Sequence, residues 1–228
     1  MVSLPDGTTE KVSVIVTHWG QNEFRSAVMW RSIESLINTA SGAEIIVVDN
    51  GGNYEDSLFL LQYANEGKIA CYIRNRKNMH FGYARNQGVK LSSGNYIVIA
   101  DNDISYENGW LETCLRILKE HPDKKLLATP LRTDRQHRNE YHWAGKIHAL
   151  GKEWLVNMRA GSNCFLVKRE HFNDIGWFEQ HEIAGSRWNN KFQDKGYRMV
   201  TMETDSLAED IGFKKGYNFR EKIPYYEL

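Results

Sequence analysis

Two carboxylates one residue apart close an apolar run: Tyr96-Ile97-Val98-Ile99-Ala100 is followed by Asp101-Asn102-Asp103. In an extended segment residues i and i+2 project to the same side, so both carboxylates are expected to converge past the end of a buried strand. Like charges placed so close repel unless something neutralises them. Hard oxygen ligands suit Mg²⁺ or Mn²⁺, ions that often bridge a carboxylate to phosphate oxygens. A lone D-x-D is common; its place at the end of an apolar strand, with a helix expected from about Glu107, narrows its meaning. Two further apolar runs also end in polar groups, Thr17-His18-Trp19 and Asp49-Asn50. Asp and Asn favour ordinary turns as well, so the informative feature is that three strand ends coincide in character. In open parallel sheets, ligands bind beyond the carboxyl ends of the strands. A cationic stretch, Arg74-Asn75-Arg76-Lys77-Asn78, precedes Gly82-Tyr83-Ala84-Arg85-Asn86-Gln87-Gly88. Cations there can meet phosphate, and Arg can do so bidentately.

The elements that must position these groups are legible from hydrophobic periodicity. Strands are expected at Val12 to Thr17, Glu44 to Asp49, Ile69 to Ile73, Tyr96 to Ala100 and Leu126 to Thr129. Helices are expected at Glu23 to Asn38, Glu55 to Glu66, His80 to Leu91 and Glu107 to Glu120, the last stopped by His121-Pro122. This alternation argues an α/β fold with a mostly parallel central sheet flanked by helices. After Pro130 the pattern changes. Short strand-like pieces broken by Gly145 and Gly151, a turn at Ala160 to Asn163, a strand running to about Val167, a helix near Trp188 to Asp194 and a strand from Tyr197 are expected.

Composition excludes several classes. With Lys+Arg 29 against Asp+Glu 29, there is no electrostatic footprint for nucleic acid or anionic membrane. Cys71, Cys114 and Cys164 are scattered, so neither a disulfide framework nor a zinc cage is expected. The apolar runs are too short to span a bilayer, and a polar start without a signal peptide suggests a cytoplasmic protein. His181-Glu182 opens like a zinc-protease helix, but Gly185 stands where the second His belongs. No Rossmann or P-loop glycine pattern is present.

Asp49-Asn50, the pattern Asn78-x-x-x-Gly82-x-Ala84-Arg85-Asn86-x-Gly88, the strand ending in Asp101-Asn102-Asp103, and Ala160-Gly161-Ser162-Asn163 together resemble family-2 glycosyltransferases of the GT-A fold. The match in order and spacing runs from Val12 to about Gly196. The resemblance implies one GT-A domain over the 228 residues, with a nucleotide-sugar-binding half to about residue 130, an acceptor and catalytic half to about 212, and a tail. It implies a nucleoside-diphosphate sugar as donor, Mn²⁺ or Mg²⁺ as cofactor, and a carbohydrate or other hydroxyl acceptor; further domains of a longer protein are compatible with it. By the same resemblance Thr17 and Asp49 contact the nucleobase and ribose, with His18 and Trp19 in the same strand-end group. Asn78, Gly82 and Arg85 belong to the donor pocket. Asp103 is the direct metal ligand, with Asn102 beside it and Asp101 near the ribose or metal. Asp210, before Ile211-Gly212, stands where the family often has a His completing the metal site. Ala160, Gly161, Asn163 and Trp177 are expected on the acceptor side.

One departure matters. Upstream of a Gly-Tyr such as Gly196-Tyr197, the family usually carries Glu-Asp-x-Asp, the source of the catalytic base; this chain has Ala184-Gly185-Ser186-Arg187. Glu182 is the nearest carboxylate and the candidate base for an inverting displacement. A retaining transferase on the same fold, which needs no base on the acceptor side, and a non-catalytic nucleotide-sugar-binding module are the alternatives. A nucleotidyltransferase is disfavoured because no Gly-rich loop follows Val16.

Overall fold

A computed structural model describes residues 1–20, 22–130, 143–157, 164–181, 186–202 and 207–212. The chain opens with β1 (Val2–Ser3) and β2 (Thr9–Glu10), and proceeds through β3 (Val12–His18), α1 (Glu23–Thr39), β4 (Glu44–Asp49), α2 (Tyr54–Asn65) and β5 (Cys71–Arg74). It continues with α3 (Phe81–Leu91), β6 (Tyr96–Asp101), β7 (Ile104–Tyr106), α4 (Trp110–Glu120) and β8 (Leu126–Thr129). The second half holds β9 (Trp143–Ala149), β10 (Lys152–Asn157), β11 (Cys164–Lys168), α5 (His171–Ile175), α6 (Ser186–Asp194), β12 (Arg198–Met202) and β13 (Ala208–Asp210).

Among the described residues, nine strands form one sheet in the order β5-β4-β3-β6-β11-β8-β12-β10-β9. Its first four strands are parallel throughout. β11 then runs antiparallel between β6 and β8, β12 is parallel to β8, and β9–β10 is an antiparallel hairpin at the edge. The expected α/β architecture is therefore present, parallel where the polar strand ends lie and mixed beyond. β3 and β6 are buried on both faces, which explains their unbroken β-branched runs.

Side chains of one strand alternate between faces. Val12, Val14 and Val16 of β3 join Met29, Ile33 and Leu36 of α1, Leu60 of α2 and Trp110, Leu111 and Leu115 of α4 in one core layer. Ile15 joins Val89 of α3, Phe172 of α5 and Trp188 and Phe192 of α6 in the other. Helix α3 lies close on β3 because Gly88 has no Cβ; one there would strike the Ile15 side chain. Helices α1 and α2 start where Asn22 and Asn53 cap the backbone N–H groups of Arg25 and Asp56.

Elements with strong periodicity sit close to where the residues predict them. Glu107 to Gly109 do not begin α4: Ile104 to Tyr106 are drawn into pairing with β13, and Gly109 turns with φ 84° before the helix starts at Trp110. The short β1–β2 hairpin, β7, β13 and five-residue α5 carry too few residues for a periodicity to be read. Among the described residues no helix is long and apolar enough to cross a membrane, and all three cysteines are free thiols.

Candidate functional site

The registers of β3, β4, β5 and β6 bring the polar strand ends to one edge. His18 pairs with Asp49 and Asp49 with Arg74, while Thr17 pairs with Asp101. Alternation then separates these groups by face: Asp49 and His18 lie toward α1 and α2, Thr17 and Asp101 toward α3.

On the α3 side, the Arg85 guanidinium is 1% exposed and its Nη2 donates to Asp101 Oδ1 at 2.8 Å. It also lies over the rings of Phe81 and Phe178, 4.6 and 5.3 Å from their centroids. Burial pushes the Asp101 carboxyl up to about 7; Arg85 pulls against this, and the charges of Asp103 and Asp210 push further. Burial raises Asp103 as well, opposed by the Arg25 guanidinium. The Thr17 hydroxyl is buried and has no hydrogen-bond partner among the described residues.

Asp210 reaches the cluster through β13. It pairs with Ile104, directly after the D-x-D; Ile211 N–H donates to the Asp103 carbonyl at 2.8 Å, and Gly212 packs its backbone on the Asp103 side chain. Asp101 and Asp103 thus stand at the end of β6, with Asp210 near enough for its charge to act on Asp101. Among the described residues no three His, Cys, Asp or Glu side chains stand together as a group that could by itself hold a metal ion. The donor set nonetheless fits Mg²⁺ or Mn²⁺: it is all hard oxygen and carries surplus negative charge, and such ions usually take their remaining ligands from phosphate and water.

On the other face Asp49 is fully buried and serves its own chain. Oδ1 accepts from Gly52 N–H at 2.7 Å; Oδ2 accepts from Ser57 Oγ at 2.7 Å, Tyr72 OH at 2.9 Å and Arg74 Nη1 at 3.3 Å. Burial first, then the Asp49 charge, lifts the Tyr72 phenol to about 12, so it remains a donor to that carboxylate. Asp49 therefore knits β4, β5 and the first turns of α2 together.

His18 is also fully buried, between Asp56 and Asn102. Trp19 is half-buried beside it. Asn78 Oδ1 accepts from Asn50 Nδ2 and from His80 N–H, both at 2.9 Å. Asn50 Oδ1 accepts from Asn75 and from Met79 N–H, each at 3.0 Å. This amide network holds His80 at φ 66°, ψ 160°, a conformation other than glycine residues seldom adopt, just before α3. Gly82 is buried in the first turn of that helix.

Trp177 is not brought to the carboxylates. Its ring meets Phe172 and lies under Lys90 Nζ at 5.7 Å, in the last turn of α3. Ala160, Gly161, Asn163 and Glu182 lie outside the described residues. The ring of His181, the last described residue before Glu182, stands edge-on to His80 with centroids 5.0 Å apart. Asp56, Arg25 and His80 were not singled out by sequence; each lies on a helix turn or loop where its type is ordinary.

The chain matches the model of Glycosyl transferase family 2 over residues 13–176. Hyaluronan synthase of Pasteurella multocida is 29% identical over 219 residues, which is 94% of this chain and 21% of that protein. An uncharacterized glycosyltransferase of Rickettsia bellii is 35% identical over 114 residues, covering 49% of this chain and 15% of that one. The chain thus spans only a small part of the length of these relatives. Among solved structures, a mannosyltransferase from Pyrobaculum calidifontis superimposes with a TM-score of 0.68 at 17% identity, covering 95% of this chain and 61% of that one. GalNAc-T7 superimposes with a TM-score of 0.67 at 14% identity, covering 85% of this chain and 42% of that one. These likenesses establish the GT-A fold. With the family's model matched from β3 to α5, the chain belongs to glycosyl transferase family 2.

Proposed function

We propose that this chain transfers a sugar from a nucleoside-diphosphate sugar to an acceptor hydroxyl, with a divalent cation held at Asp101 and Asp103 and Asp210 beside them. The observation that carries the reading is the buried Asp101–Asp103 pair past the end of β6, where burial, against the pull of Arg85, and the charges of Asp103 and Asp210 lift Asp101 to about 7. The mannosyltransferase neighbour was solved with GDP-Man and Mn²⁺, and GalNAc-T7 with UDP, GalNAc and Mn²⁺. When bound, the cation offsets charge that grows on the departing nucleoside diphosphate. Arg85 fixes the Asp101 carboxylate in place. The buried Thr17 hydroxyl, in register with Asp101, is assigned to the nucleotide because a ligand would supply its missing partner. Asp49 shapes the floor under the nucleoside by fixing Gly52 and the start of α2.

At the acceptor, a hydroxyl oxygen bonds to the anomeric carbon, the bond from that carbon to the diphosphate oxygen breaks, and the hydroxyl proton passes to a carboxylate. Glu182 is assigned as that base for an inverting transfer. The test is a panel of UDP- and GDP-sugars incubated with the protein and Mn²⁺, reading release of nucleoside diphosphate and the anomeric configuration of any product. Release that stops in EDTA is expected. Release unchanged by EDTA contradicts the cation's role, and no release from any donor, with no nucleotide binding, contradicts the reading as a whole.

A further inference from the structure

The imidazole of His18 is a buried polar group with no role in the chemistry above, and its surroundings are built around it. It is 0% exposed at the end of β3. The backbones of Gly20 and Gly52 close on the ring; a Cβ at Gly20 would lie 2.7 Å from Cε1, and one at Gly52 would lie 3.0 Å from Nε2. Its Nε2 lies 2.8 Å from Asp56 Oδ2. A carboxylate only accepts, so Nε2 carries the proton, and Nδ1 takes the Asn102 amide N–H at 2.7 Å. Asp56 is itself anchored: Asn53 Nδ2, from the cap of α2, donates to the same oxygen at 3.0 Å. Burial alone would raise the Asp56 carboxyl, but hydrogen bonds from His18 and Ser26 hold it below its ordinary value.

The chain of contacts runs from the start of α2, through β3, to the middle residue of Asp101-Asn102-Asp103. We propose that Asp56, His18 and Asn102 form a positioning relay that sets the Asp101–Asp103 loop for its cation, so that His18 governs cation and donor binding without touching either. This rests on the reading that the loop holds a divalent cation. His18 cannot meet the donor directly, because it has no exposed surface and both ring nitrogens bond within the chain. A histidine needed only for packing would be served by any two partners. Here one partner is flanked on both sides by the proposed ligands, so a turn of Asn102 displaces both carboxylates. Groups that orient metal ligands from behind typically contribute 10- to 100-fold in metal affinity.

Three variants and one binding measurement decide the matter. In His18→Gln the amide can donate to Asp56 and accept from Asn102, so the relay survives. In His18→Leu both bonds are lost and the Asp56 carboxylate is left buried without its partner, which itself threatens folding. His18→Leu combined with Asp56→Leu removes that charge and is the variant to use if the single one does not fold. Mn²⁺ affinity is read by electron paramagnetic resonance, alone and with UDP or GDP, alongside circular dichroism and thermal melting. The relay predicts His18→Gln close to wild type, and the folded Leu variant weaker for Mn²⁺ by about 10- to 100-fold. Wild type binding Mn²⁺ with the folded Leu variant within about threefold of it overturns the relay alone, since orienting groups act well above that. A wild-type protein that takes up no Mn²⁺ in either condition overturns the cation reading, and the relay with it.

Discussion

Replacing Asp103 with alanine is expected to lower cation-dependent donor turnover by about 10³-fold or more, because a catalytic cation supplies several kcal/mol and each 1.36 kcal/mol is tenfold. The fold should not weaken. Burial raises the Asp103 carboxyl above its ordinary value, and its charge raises Asp101 in turn. A carboxyl whose pKa rises on folding contributes stability that is lost as pH climbs through the folded value, so above that value its charge is a liability to the metal-free protein. Alanine removes that liability. The expected pair of results is kcat/KM down in Mn²⁺, with the melting temperature in EDTA at neutral pH unchanged or higher. Turnover retained in the alanine variant would place the cation elsewhere.

Asp49→Ala should show the opposite balance, with stability as the principal loss. Gly52 N–H, Ser57 and Tyr72 all lose the acceptor that ties β4 to α2 and β5. The Ser57 hydroxyl can still donate to the Asn53 carbonyl at 2.9 Å, which leaves two donors without a partner; at about 1 kcal/mol or more for each, the loss is about 2 kcal/mol. Arg74 adds little, being 38% exposed and free to rehydrate. For a chain of this size that corresponds to a melting temperature lower by roughly 4–8 °C. Nucleoside-diphosphate affinity should fall by about 1–3 kcal/mol as the floor loosens, whether Asp49 also touches the base or acts only through Gly52 and α2. Denaturant melts and calorimetry check both. A stability change under about 0.5 kcal/mol, the range of ordinary surface substitutions, contradicts the structural role.

The parallel half of the sheet was legible because strands buried on both faces must be continuous apolar runs, and β3, β4 and β6 are. The D-x-D, common on its own, was legible because it closes one of those apolar runs, beside two other strand ends of the same polar character. Face and exposure were not. Thr17 and His18 are neighbours in sequence with similar polarity, yet alternation turns one toward Asp101 and hides the other behind Asn102. Asp49 reads as an available carboxylate in sequence, but its donors come from α2 and β5, and only the fold assembles them. Trp177, expected on the acceptor side, has its ring against Phe172 and under Lys90, contacts its sequence does not announce. Asp210, which the resemblance sets with the metal site, comes beside the D-x-D through a three-residue strand too short for any pattern of its own.

The most direct test of the central claim is a titration of Mn²⁺ into metal-free protein, followed by electron paramagnetic resonance with and without a nucleoside diphosphate. The account predicts one site per chain, tightened by the diphosphate and abolished in Asp103→Ala. Equal uptake of Mn²⁺ by wild type and Asp103→Ala, or nucleoside-diphosphate binding of the same strength in EDTA, would contradict it.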